Sequence, residues 1–202
     1  MSLWRADRPL VLASRSTSRR TMLEAAGIPV EVRIPDLDER AVEADAGTRS
    51  PADVAMLLAR EKAKSVARST PSRIVVGADQ TLALEERRFD KPRDRAAARE
   101  QLMILAGKTH HLHSAVALAR DGEVLFDATD TASLTVRKLS GAFLDDYLDT
   151  AGSAVLESVG AYQLEKIGIH LFDRIEGDHF TILGLPLLKL LDFLRRTGSL
   201  VA

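Results

Sequence analysis

The stretch Ile74-Val75-Val76-Gly77-Ala78-Asp79-Gln80-Thr81-Leu82 constrains the chain more than any other. Three β-branched residues run into Gly-Ala, an acid follows at once, and an apolar residue stands two positions after Gln80. That is the pattern of a buried strand presenting Asp79 at its tip. A carboxylate at a strand tip in an α/β chain lies at the end where such folds gather ligands. Gly77 lacks a side chain, so a ligand or a second backbone can approach closely. The same pattern also fits an aspartate that only caps or turns the chain.

With 202 residues, 46% of them hydrophobic, the chain can build one sizeable core or two small lobes sharing a cleft. A net charge of -1 with scattered Lys and Arg gives no electrostatic basis for a nucleic-acid or membrane partner, so any basic site must be local. The absence of cysteine excludes a disulfide framework, a thiol nucleophile and Cys-ligated zinc. No apolar run approaches the roughly 20 residues of a bilayer span, and the charges before Pro9 do not suit a signal peptide, so a cytoplasmic address is expected. No repeat, low-complexity tract or long linker divides the chain, which reads as one domain over 1–202.

Strand and helix signals alternate. Pro9 to Ala13 is a short apolar strand. A hydroxyl-rich turn from Ser14 to Arg20 follows, then Met22, Leu23 and Ala26 at helical spacing with Gly27 as the stop. Free N–H groups and the positive end of the helix dipole favour an anion at such a turn, and Arg19 can reach back as a two-pronged donor; an ordinary N-cap with solvated arginines fits the spacing equally. After a strand at Val30 to Ile34, Asp36, Asp38 and Glu39 read as a solvated turn or as ligands of a hard cation. Ser50-Pro51-Ala52-Asp53 opens a helix with Val54, Leu57, Leu58 and Val66 on its apolar face and Arg60, Lys62 and Lys64 on a basic one.

Phe89-Asp90-Lys91-Pro92 is a turn in which proline sets the backbone beside a lysine, and a helix from about Asp94 to Leu105 ends at Gly107. Gly107-Lys108-Thr109 imitates the end of a P-loop, but Leu102 stands where the earlier glycine is required and a helix precedes it. Asp121-Gly122 marks a hairpin between Leu112 to Leu118 and Glu123 to Val136. His111 and His113 share a face there, close to His110, with no further His or Cys nearby to complete a metal site. Ser140 to Asp149 is a short helix, Gly160 to Glu165 breaks regular structure, and Arg174-Ile175-Glu176-Gly177 reads as a turn. Phe180 to Pro186 leads into a leucine-rich helix.

These motifs together resemble the Maf family of house-cleaning nucleoside triphosphate pyrophosphatases. The resemblance runs from about Leu10 to Leu194 through Leu12-Ala13-Ser14-Arg15-Ser16 with Arg19, Asp36-Leu37-Asp38-Glu39, Glu61-Lys62-Ala63, Gly77-Ala78-Asp79, Lys91-Pro92, and Ile175-Glu176-Gly177 leading to Gly184-Leu185-Pro186. It implies a two-lobed, ITPase-like α/β fold, with a mixed, twisted sheet flanked by helices and a central cleft. It also implies cleavage between the α and β phosphates with Mg2+ or Mn2+. On that resemblance Asp79 is the general base, Glu39 and Asp79 place the metal, and Ser14, Arg19, Lys62 and Lys91 hold the triphosphate. The resemblance also points to a homodimer.

Base choice is implied by Ser18, Gln80 and Glu165. Gln80 and Glu165 resemble the branch acting on 7-methyl-GTP, Ser18 matches neither branch, and Gly77-Ala78 resembles the dTTP/UTP branch. A glutamate suits guanine, whose N1–H and N2 amino group form a donor pair, and it also suits the positive charge that N7 methylation adds. Thr17 stands in place of the usual proline and Asp90 in place of the glycine before Lys91-Pro92. A non-catalytic nucleotide-binding regulator of cell division and a phosphatase removing only the terminal phosphate are the competing classes; the retained Asp79 favours catalysis.

Overall fold

The computed structural model describes residues 2–47 and 49–202. In chain order the elements are β1 (Leu10–Ala13), α1 (Thr17–Ala25), β2 (Val30–Val32), α2 (Glu39–Ala46), α3 (Pro51–Arg68), β3 (Val75–Leu84), β4 (Arg87–Phe89), α4 (Arg95–Leu105), β5 (Thr109–Arg120), β6 (Glu123–Val136), α5 (Gly141–Ala151), β7 (Phe172–Glu176), α6 (His179–Ile182) and α7 (Leu187–Arg196), with three 3-10 turns between α5 and β7. The fold is mixed α/β. Among the described residues seven strands pair in the order β2-β1-β3-β5-β6-β7, with β4 added to β3. β1 runs parallel to β2 and β3, whereas β4 and β7 pair antiparallel to β3 and β6.

The chain forms two compact units, and β3, β5 and β6 each divide between them. The first gathers the chain through Gln80 with Ser114–Asp130 and Asp178–Ala202. Successive strand residues point to opposite faces, and here the two faces differ in size. Val11, Ala13, Val75, Ala115, Ala117 and Ala119 face α3 through its buried stripe Ala55, Ala59, Ala63 and Ala67. Leu10, Leu12, Val76, Ala78, Val116 and Leu118 pack instead with Met22 and Leu23 of α1 and with Leu187, Leu190 and Leu194 of α7. Small side chains on the α3 face let helix and strand backbones come close. At Gly77 the approach is tightest: a Cβ there would stand 2.2 Å from the carbonyl oxygen of Ala59 and 2.5 Å from the nitrogen of Ala63. A second backbone, that of α3, fills the space glycine leaves.

The second unit comprises Thr81–His113 and Thr131–Gly177. Ala98, Leu102 and Leu105 of α4 and Leu144, Tyr147 and Leu148 of α5 are its buried helical residues. His110 is fully buried, with Nε2 2.8 Å from the Tyr162 hydroxyl, and Tyr162 meets Phe172 edge to face. Desolvation pushes the His110 imidazole down to about 4, pushes Tyr147 up to about 12, and raises Tyr162 as well.

Several expectations change. β3 does not end at Asp79: it continues through Leu84 because Leu82, Ala83 and Leu84 pair with Phe89, Arg88 and Arg87 of β4. Asp79 therefore sits inside a strand. The acidic segment before Ser50 contains a helix, α2, started by Asp38, whose carboxylate accepts from the N–H groups of Arg40 and Ala41 at 3.1 Å. On α3, Leu57 is only half-buried and the alanines carry the buried face, joined by Lys62 from the expected basic side. Arg174-Ile175-Glu176 is strand rather than turn, paired with Ser133 to Thr135 of β6. Gly107 does close α4, with φ +71°, and Thr109 begins β5, so that segment is a helix-to-strand connection.

Candidate active site

In the first unit, register brings the end of β1 beside the start of β3: Ala13 pairs with Gly77, one residue before Ser14 and two before Asp79. Asp79 shares the α3 face with Gly77 by the two-residue period of the strand. The close seating of α3 at Gly77 carries Lys62 onto Asp79, with Nζ 2.5 Å from Oδ1. Both residues are buried, Lys62 at 7% exposure and Asp79 at 8%, which is tolerable only because each neutralises the other. A third charge joins them. Glu39, the first residue of α2, places Oε2 2.8 Å from the same Nζ while staying half exposed.

Arg19 reaches the site from the first turn of α1. Ser16 caps that helix by accepting from the Arg19 N–H, and Ser14 in turn accepts from the Ser16 N–H at 3.1 Å. The Arg19 side chain donates from Nη1 to the carbonyl of Ala78 at 2.7 Å and to Ser14 Oγ at 3.3 Å, and from Nε to the carbonyl of Gly184 at 2.8 Å. Three fixed acceptors hold one planar guanidinium, which a lysine could not reproduce. Gly184 adopts φ +97°, a left-handed conformation that favours glycine.

Burial raises the Asp79 carboxyl above the ordinary carboxylate range, against the pull of Lys62 and Arg19, and Glu39 adds to the rise. Burial likewise lowers the Arg19 guanidinium, opposed by the charges of Asp79 and Glu39. Two carboxylates and two cations cancel in this cluster, so it has no surplus positive charge of its own. Glu39 and Asp79 nevertheless converge on one cationic group. Two hard oxygen donors of this kind, completed by phosphate oxygens, suit Mg2+ or Mn2+.

Not every residue singled out in the sequence joins this cluster. Glu39 and Asp79 meet on Lys62, and Arg19 with Ser14 stands beside them, tied to the backbone of Ala78, the residue before Asp79. Asp38 is spent as a helix cap, and Ser18 is half-buried in the first turn of α1. Gln80 lies on the opposite face of β3 from Asp79 and donates from Nε2 to Ser114 Oγ at 2.9 Å and to the carbonyls of Thr181 and Ile182 at 3.1 and 3.0 Å. Lys91 and Glu165 belong to the second unit, and both are exposed. His111 and His113 are each bound through Nδ1 to a hydroxyl of β6, Ser133 and Thr131, and no group of three or more metal-ligating side chains occurs among the described residues. Sequence reasoning missed Ser114 and the carbonyls of α6. The available signal was a lone hydroxyl at a position that continues inward as Val116 and Leu118.

No helix of the described residues is long and apolar enough to cross a membrane. Comparison with known proteins finds relatives along the whole chain. A protein named nucleoside triphosphate pyrophosphatase from Bradyrhizobium diazoefficiens is 56% identical over 195 residues, covering 96% of each chain. Proteins of the same name from Rhodopseudomonas palustris and Paramagnetospirillum magneticum are each 54% identical, covering 99% of both chains in the first case and 95% of this chain and 100% of the relative in the second. The family profile described as Maf-like protein matches residues 9–197. The chain belongs to the Maf-like protein family.

Proposed function

We propose that the chain is a nucleoside triphosphate pyrophosphatase that cleaves the α-β phosphate bond of a modified nucleotide, 7-methyl-GTP foremost, to the monophosphate and pyrophosphate. One observation carries the reading: a buried aspartate, held by Lys62 and flanked by Arg19 and Glu39, stands in a family whose relatives bear that name. The Asp79 carboxylate takes the proton of the attacking water as its oxygen bonds to the α phosphorus and the bond to the bridging oxygen breaks, with pyrophosphate leaving. Arg19, held by three oxygens, and Ser14 present donors to the phosphates, and the Lys62 ammonium balances charge developing on them. Glu39 and Asp79 would hold a divalent cation, which would supply the positive charge that the neutral cluster lacks for a polyanion. For Lys91 as a phosphate ligand, and for Glu165 with Gln80 and Ser18 as readers of the base, the support is the motif resemblance and the fit of a carboxylate to the donor pair of guanine.

The experiment is a panel of 7-methyl-GTP, GTP, dTTP, UTP and CTP with Mg2+ or Mn2+, with monophosphate, pyrophosphate and inorganic phosphate quantified separately. The expected outcome is preference for 7-methyl-GTP, pyrophosphate as the co-product, a loss of about 10²–10⁴-fold in Asp79→Asn, and loss of the preference in Glu165→Gln. Preference for UTP or dTTP would refute the base assignment and leave the chemistry. Release of inorganic phosphate alone would make the chain a phosphatase, and nucleotide binding without turnover would make it a regulator.

A further inference from the structure

Ser114 is fully buried in β5, on the sheet face it shares with Val116 and Leu118. Its hydroxyl donates to the carbonyl of Thr181 at 2.7 Å and accepts from Gln80 Nε2 at 2.9 Å. The same nitrogen of Gln80 reaches the carbonyls of Thr181 and Ile182. Backbone carbonyls only accept, so the end of the amide that meets α6 must be the NH2 group. Ser114 has one proton, committed to Thr181, so toward Gln80 it too can only accept. Three acceptors thus share two N–H groups, and the other end of the amide, Oε1, is turned the opposite way. A Cβ on Gly184 would stand 3.7 Å from that Oε1 and 3.5 Å from Nε and Nη2 of Arg19, so the oxygen and the guanidinium border the same small space.

We infer that Ser114 is a positioning residue of this site. It acts through Gln80, locking the amide so that only its carbonyl oxygen is offered outward, and the substrate group met there is a hydrogen-bond donor, an amino or imino N–H of the base. The inference rests on Gln80 facing the substrate, as in the proposed function. Its physical basis is the ring of Gln80, Ser114, Thr181 and Ile182, whose donor and acceptor directions leave one arrangement.

The test compares Ser114→Ala with Ser114→Thr, which retains a hydroxyl, after thermal melts have identified folded protein. In NMR of the substrate-free protein, the Gln80 side-chain amide protons should exchange slowly in the wild type, about tenfold faster in Ser114→Ala, and near the wild-type rate in Ser114→Thr. Across the nucleotide panel, the spread of kcat/KM among bases should narrow about tenfold in Ser114→Ala, chiefly through KM, and recover in Ser114→Thr. Unchanged exchange in Ser114→Ala, or an unchanged spread with intact turnover, would overturn the role of Ser114 and leave the reaction standing. Absence of turnover in the wild type would instead overturn the proposed function, and with it the inferred contact to substrate.

Discussion

Gly77→Ala is the smallest change that should disable the site, although the residue added touches no substrate. The backbone at Gly77 lies outside the positive-φ region, so alanine carries no conformational penalty there and the effect must be steric. The new methyl group would meet two backbone atoms of α3, the Ala59 oxygen at 2.2 Å and the Ala63 nitrogen at 2.5 Å. Neither belongs to a side chain that can swing aside. Restoring ordinary contact, which begins at 3.4 Å, moves α3 back by more than an ångström and takes Lys62 with it from a carboxylate now 2.5 Å away. Overpacking of this kind costs about 1–3 kcal/mol, and a partly separated buried ion pair adds to that, so about 3 kcal/mol or more is expected. For a chain of this length that lowers Tm by roughly 6–12 °C. Thermal melts monitored by circular dichroism, with kcat/KM measured well below Tm, are the assay. Activity should fall at least tenfold in the folded variant, since displacements of about 1 Å near the chemistry cost on the order of 10²-fold. A variant that melts within 2 °C of wild type with full activity would refute the argument that backbone contact at Gly77 seats Lys62.

Arg19→Lys keeps the charge and discards the fork: one ammonium cannot satisfy the carbonyls of Ala78 and Gly184 with the geometry the guanidinium has. A drop in kcat/KM of about 10–100-fold is expected, and steady-state kinetics at wild-type values would show that charge alone suffices. His110→Leu should flatten the acid limb of stability. Because burial lowers the folded-state pKa to about 4 from 6.5, the unfolded chain binds more protons between those values. The His110 contribution is therefore fully present above pH 6.5 and is lost as pH falls toward 4, about 3 kcal/mol in all. Denaturant titrations at pH 7.5 and 4.5 on both proteins measure the difference, and equal pH dependence would refute it.

Much of this was legible in the primary sequence because the signals are local. The β-branched run into Gly77, the Ser50 cap and the Asp121-Gly122 hairpin act over a few residues, and the structure places each where its chemistry requires. The ordered motifs also identified the family, since side-chain identity at spaced positions survives in one dimension. What stayed hidden depends on partners distant in the chain. The end of β3 was misplaced because pairing with β4, rather than the acid at position 79, decides where the strand stops. α2 was missed because it is only eight residues long and acidic, and it is started mainly by the Asp38 cap. Which of the α3 cations turns inward, and that Gln80 points its nitrogen at Ser114 and α6, follow from the seating of helix on strand and from hydrogen bonds spanning up to 102 residues. Donor and acceptor polarity is a property of groups brought together, and only the tertiary structure assembles them.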